Sequence, residues 1–184
     1  GSPPSPGRLK KTIVMVGMMG AGKTAVGRAL AARLQVPFLD SDHEIESAAN
    51  MTIPEIFARD GEAFFRLKER QVIARLLTEE CGVLSTGGGA FLAAENRETI
   101  TRNGASIWLQ ADLDVLWNRV RHRDTRPLLK TADPRATLAQ LYAARVPLYA
   151  KADLAVVSDG KASIEEMVDR VLEAVRSRPD VLES

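Results

Sequence analysis

A chain of 184 residues, 45% hydrophobic and 27% charged, has material for one well-cored domain and is short for two. Its formal net charge of +1 gives no global pull toward nucleic acid or an anionic membrane surface, so any basic function must be local. No apolar run approaches the ~20 residues that span a bilayer, no signal peptide is visible, and the single cysteine, Cys81, permits no intramolecular disulfide.

Gly1-Ser2 reads as a cloning scar, and residues 1–10, with Pro3-Pro4-Ser5-Pro6-Gly7, as a disordered lead-in to one domain over 11–178. Thr12-Ile13-Val14-Met15-Val16 predicts a buried strand. It enters Gly17-Met18-Met19-Gly20-Ala21-Gly22-Lys23-Thr24, which has the spacing of a phosphate-binding P-loop. Glycines let the backbone N–H groups turn inward toward phosphate oxygens. Lys23 can add a charge at the β- and γ-phosphates, and the Thr24 hydroxyl can bind Mg²⁺. A helix over Thr24–Leu34 presents its positive end to the same anion.

Val36-Pro37-Phe38-Leu39 predicts a second strand, ending at Asp40-Ser41-Asp42 before a helix through Ala49. Thr52-Ile53-Pro54-Glu55 is a capping-box start for a helix that should stop near Asp60-Gly61, with another over Glu62–Glu80. Gly82-Val83-Leu84-Ser85-Thr86 predicts a third strand, followed by Gly87-Gly88-Gly89 and a helix with its cap at Asn103-Gly104. Ala105–Leu109 predicts a fourth strand and Asp112–Arg121 a helix. A basic, proline-broken segment then runs to about Pro134, a helix follows to Val146, and Leu154–Val157 predicts a fifth strand. Ser163-Ile164-Glu165-Glu166 opens the last helix, and residues 179–184 are expected to fray.

Short apolar strands alternating with helices predict an α/β fold: a three-layer αβα sandwich around a five-stranded parallel sheet. Ligands of such sheets bind at the carboxyl ends of the strands, which brings the P-loop, Asp40-Ser41-Asp42 and the glycine triplet to one edge. Asp40 and Asp42 can serve Mg²⁺ and a hydroxyl acceptor, although the same triplet is also a good helix N-cap. Arg66, Arg126 and Arg145 are each, taken singly, ordinary surface charges. Arg126, beside Pro127 in the basic segment, is the candidate lid arginine for a transferring phosphoryl group.

The ordered set of P-loop, Asp40-Ser41-Asp42, Phe65-Arg66 with Glu69, Gly87-Gly88-Gly89, Arg126-Pro127-Leu128-Leu129, and Arg145 with Pro147-Leu148-Tyr149 resembles the shikimate kinases, from about Ile13 to Val175. The resemblance implies a P-loop kinase with strand order 2-3-1-4-5, using ATP and Mg²⁺ to phosphorylate the shikimate 3-hydroxyl. It implies a substrate segment at about 40–70 and a lid at about 121–134. It places nucleotide contacts at Gly20, Ala21, Gly22, Lys23, Thr24, Ala25, Arg119, Arg126, Ser158 and Asp159, and metal contacts at Thr24 and Asp40. Asp42, Arg66, Gly88, Gly89 and Arg145 would meet shikimate, with Glu69 orienting Arg66; Lys23, Asp42 and Arg126 would act in catalysis. The expected protein is a cytoplasmic monomer with no nucleic-acid or membrane partner. Leu67-Lys68, between Arg66 and Glu69, falls where the family varies. Rival readings are another small-molecule P-loop kinase, such as a gluconate kinase, and a catalytically silent ATP-binding module. A guanine-nucleotide switch is disfavoured, because no Asn-Lys-x-Asp motif occurs.

Overall fold

The computed structural model describes residues 8–121 and 132–183. Its centre is β2 (Thr12–Val16), in which every residue is buried. β4 (Val83–Ser85) and β5 (Gly104–Gln110) flank it, and β3 (Phe38–Asp40) and β6 (Leu154–Val157) form the edges. All four pairings are parallel, and the order in chain sequence is the expected 2-3-1-4-5. Complete burial explains why β2 and β4 read as continuous apolar runs rather than alternating ones. The crossover through α1 (Lys23–Leu34) runs from β2 toward the β3 edge, and the one through α4 (Ala94–Asn103) runs the other way, from β4 to β5. Right-handed crossovers in opposite directions put these helices on opposite faces. α7 (Ile164–Val175) packs beside α1, and α3 (Ile53–Glu79) beside α4.

α2 (Ser41–Ala49) leaves β3 without a connecting loop, and α5 (Leu113–Val120) precedes α6 (Pro134–Tyr149). The break expected in α3 is at Gly61, whose φ of 86° and ψ of 169° interrupt the helix; α3 is two helices meeting at a glycine. Ser163 forms a complete capping box with Glu166. At Thr52 only half of the expected box forms. Its Oγ1 accepts from the Glu55 N–H at 3.3 Å, but the Glu55 carboxylate takes the Thr52 hydroxyl, and the Ile53 N–H goes to Glu46 Oε2 at 2.9 Å.

Two expectations need correction. α6 does not stop at Val146 but runs through Pro147 to Tyr149. A proline so near the end forfeits one amide bond and displaces one carbonyl, and little helix remains to be broken. Gly104 caps α4 as expected, its N–H donating to the Ile100 carbonyl, but in extended rather than left-handed backbone, because it is also the first residue of β5, where a Cβ would lie 2.5 Å from the Thr12 carbonyl oxygen. The lead-in and tail are not wholly loose either. β1 (Arg8–Leu9) pairs antiparallel with β7 (Leu182–Glu183), and Leu9, Val181 and Leu182 are buried.

Candidate active site

The carboxyl ends of β2, β3 and β4 open into a cleft of about 1770 Å³. Its floor begins with the loop after β2. Gly20 has φ 84°, and a Cβ there would sit 2.7 Å from Val120 Cγ1, so the tight turn requires glycine. α1 starts at Lys23 with no side-chain cap and no acidic residue in its first turn, which leaves an electropositive helix end facing the cleft. Lys23 Nζ donates to the Gly17 carbonyl across the loop. The Thr24 hydroxyl is exposed and has no hydrogen-bond partner among the described residues.

Arg119, from α5, spans this end of the cleft. Its Nη1 donates to the Gly20 carbonyl at 2.8 Å and its Nη2 to Ser158 Oγ at 3.4 Å. Ser158 is buried and lines the cleft, but Asp159 does not line it. The Asp159 carboxylate accepts from the Lys161 and Ala162 N–H groups at 2.9 and 3.0 Å and pairs with Arg170 at 3.5 Å. Its carboxylate thus builds the loop that follows β6. Arg126 lies outside the described residues, as does most of the expected lid.

On the other side, each glycine of the triplet makes room for one charged side chain. A Cβ on Gly87 would lie 2.8 Å from Asp42 Oδ1, one on Gly88 3.0 Å from Arg145 Nη1, and one on Gly89 2.5 Å from Arg66 Nη2. The triplet thus leaves room for three groups distant in sequence, which converge on a strip of bare backbone. Arg66 Nη1 donates to Glu69 Oε1 at 2.9 Å, and Glu69 is 1% exposed. Burial raises the Glu69 pKa, against the opposing charge and hydrogen bond of Arg66.

The helix-cap reading of Asp40-Ser41-Asp42 is realised at Asp40. Asp40 caps α2 by accepting from the His43 N–H at 3.1 Å, while still lining the cleft. Asp42 is left without such a bond: its Oδ1 is buried with no hydrogen-bond partner among the described residues. Burial, then the Asp40 charge and that of Glu46, push its carboxyl from 3.8 to about 6, with Lys23 and Arg66 opposing. That rise corresponds to ~3 kcal/mol at 1.36 kcal/mol per pH unit. Below 3.8 Asp42 is neutral in both the folded and unfolded chain. Between 3.8 and about 6 the folded chain retains a proton that the unfolded chain has released, so stability falls as pH rises. Above about 6 the whole cost is present. Asp42→Asn is therefore expected to be more stable than the parent at pH 8 by up to ~3 kcal/mol, and nearly equal at pH 4. Denaturant unfolding at both pH values tests this; a less stable variant at pH 8 would mean that the carboxylate is well solvated.

Sequence reasoning missed several residues of the cleft, among them Glu46, Glu62 and Phe57. Glu46 was discoverable, since it follows Asp42 by four residues on α2 and so shares its face. Phe57 carried no comparable signal: it is brought in by ring contact with Phe65, at 4.9 Å between centroids, across the break at Gly61.

A family model described as "Shikimate kinase" matches residues 19–176. The shikimate kinase of Ruegeria pomeroyi is 74% identical over 175 residues, spanning 95% of this chain and 90% of that protein. That of Cereibacter sphaeroides is 68% identical over 177 residues, spanning 96% and 88%. Among solved structures, the shikimate kinase from Acinetobacter baumannii in complex with shikimate is similar with a TM-score of 0.85 at 38% identity, covering 91% of this chain and 93% of that one.

Proposed function

The chain belongs to the shikimate kinase family, and we propose on that footing that its cleft transfers the γ-phosphoryl group of ATP to the 3-hydroxyl of shikimate, giving shikimate 3-phosphate and ADP in aromatic amino-acid synthesis. The observation that carries this reading is the strip at Gly87–Gly89. It faces two guanidiniums and one buried carboxylate toward a common space, beside an uncapped helix end suited to phosphates. A substrate with one carboxylate and a nearby hydroxyl matches that set.

In the proposed reaction Arg66 and Arg145 hold the shikimate carboxylate. The 3-hydroxyl oxygen forms its bond to the γ-phosphorus as the bond from phosphorus to the β–γ bridging oxygen breaks. The hydroxyl proton passes to Asp42, whose buried Oδ1 has no other hydrogen-bond partner among the described residues. Lys23 leaves the Gly17 carbonyl to follow the charge on the transferring group. Arg119 and Ser158 border the nucleotide end, and Arg126 would meet the phosphoryl group from the lid. Mg²⁺ fits as a companion of the nucleotide. The donors nearest the phosphate site are hard oxygens, the free Thr24 hydroxyl and the Asp40 carboxylate, and among the described residues no group of three or more His, Cys, Asp or Glu could hold a metal alone. When bound there it would neutralise charge on the β- and γ-oxygens. A monomer in the cytoplasm is consistent with a lone cysteine and with the lack, among the described residues, of any helix able to cross a membrane.

ADP release with shikimate, and none above background with gluconate, tests the reading; the reverse would overturn it. Lys23→Ala is expected to lower kcat by about 10²- to 10³-fold, the loss typical when one preorganised donor to a developing anion is removed. A near-normal kcat would remove Lys23 from the mechanism.

A further inference from the structure

Tyr149 ends α6, is fully buried, and follows Arg145 by four residues, so the two share a helix face. Its hydroxyl donates to the Gly88 carbonyl at 2.5 Å. The Arg145 guanidinium stands at the same place: a Cβ on Gly88 would lie 3.0 Å from Arg145 Nη1 and 3.8 Å from the Tyr149 hydroxyl. A phenol has one proton to give, which goes to Gly88, and lone pairs that can receive an N–H of Arg145. Burial raises the Tyr149 pKa, with Arg145 opposing, so the proton donated to Gly88 stays in place at neutral pH. Behind the ring stands Trp108, 6.4 Å away between centroids, at the end of β5 beside the P-loop.

We propose that Tyr149 is a positioning residue for the acceptor side of the cleft: one phenolic oxygen sets both the Gly88–Gly89 peptide and the Arg145 guanidinium in the orientation that reads shikimate. The proposal rests on the shikimate reading above. In a trans peptide the carbonyl and the next N–H point in opposite directions, and among the described residues no peptide bond is cis. Holding the Gly88 oxygen toward Tyr149 therefore turns the Gly89 N–H away from it. Gly89 lines the cleft, and its N–H has no acceptor among the described residues. That N–H is a free donor for a substrate hydroxyl, aimed by a hydrogen bond on its own peptide group. Without the phenol, the peptide and the guanidinium can each rotate, and both contacts to shikimate become looser at once.

Tyr149→Phe keeps the ring and removes only the oxygen. The expected result is a rise in the shikimate KM on the order of tenfold, the scale of one lost hydrogen bond, with the ATP KM within about twofold of the parent and kcat much less affected than KM. A residue that only fills space would lower the melting temperature and the active fraction and leave the shikimate KM unchanged; that outcome overturns the proposal. A second measurement needs no variant. In the wild-type protein labelled with ¹⁵N-glycine, the Gly89 amide resonance should move on addition of shikimate and stay in place with cyclohexene-carboxylate, which keeps the ring and the carboxylate and lacks the hydroxyls. A Gly89 amide unmoved by saturating shikimate also overturns the proposal. Failure of the shikimate reading is seen separately, as wild-type protein that releases no ADP with shikimate.

Discussion

Asp42→Asn is expected to lower kcat for shikimate phosphorylation by about 10²- to 10⁴-fold, the range that a positioned general base contributes. The amide is nearly isosteric, so the space over Gly87 stays filled, but it cannot accept the hydroxyl proton. The wild-type pH profile should show the same group. Only the ionised carboxylate can act, so kcat/KM for shikimate should fall as the pH drops through about 6. In the asparagine variant the residual rate should lose that acidic limb. If kcat falls less than about threefold, or if the limb persists in the variant, Asp42 only positions the acceptor. Together with the stability gain expected for the same substitution, a large loss of rate would show that the fold carries an unfavourable charge for the sake of the reaction. Such a trade is common at sites that need a stranded, reactive group.

Arg145→Ala and Arg66→Ala should each weaken shikimate binding strongly and ATP binding little. Truncating one member of a desolvated charge pair costs ~2–5 kcal/mol, or roughly 30- to several-thousand-fold in affinity. Arg66→Lys should not restore binding, because an ammonium cannot offer two parallel donors to a carboxylate. The two alanine variants differ in one respect. Glu69 is buried and hydrogen-bonded to Arg66, so Arg66→Ala also strands a carboxylate and should lower overall stability. Arg145→Ala leaves no such charge and is the cleaner probe. Calorimetry with shikimate and with its neutral carboxamide decides the matter: wild type should prefer the acid, and the variants should lose that preference. Equal losses for both ligands would mean that the arginines do not read the carboxylate, and the case for shikimate over another polyol would fall with them.

The five strands and the P-loop were legible because each depends on local signals: a buried apolar run, a glycine spacing, a helix start; the strand order is non-local and came only with the resemblance to the shikimate kinases. The glycine triplet was visible as a stretch able to approach a ligand, but its pairing with Asp42, Arg145 and Arg66 was not, since those partners are contributed by three separate helices. Asp159 was placed near the nucleotide by the resemblance, and the hydrogen bonds of its carboxylate to the Lys161 and Ala162 amides carried no sequence signal of their own. Pro147 looked like a stop because a proline's effect depends on how much helix follows it, and that is fixed by tertiary packing around Tyr149. The pairing of β1 with β7 was the least legible feature. Two residues on each side are too short to show a period, and their partners are at opposite ends of the chain.

That pairing has a practical consequence. Arg8 lies opposite Glu183, and the β1 strand leads directly into the amino end of β2, whereas the cleft opens at the carboxyl end. Both ends of the folded unit are thus beside one another, on the pole of the sheet away from the cleft. A chain rejoined between positions 183 and 8 by a short flexible linker, with new ends cut elsewhere, should keep the site intact. For the same reason, a tether at either end would immobilise the protein with the cleft facing outward.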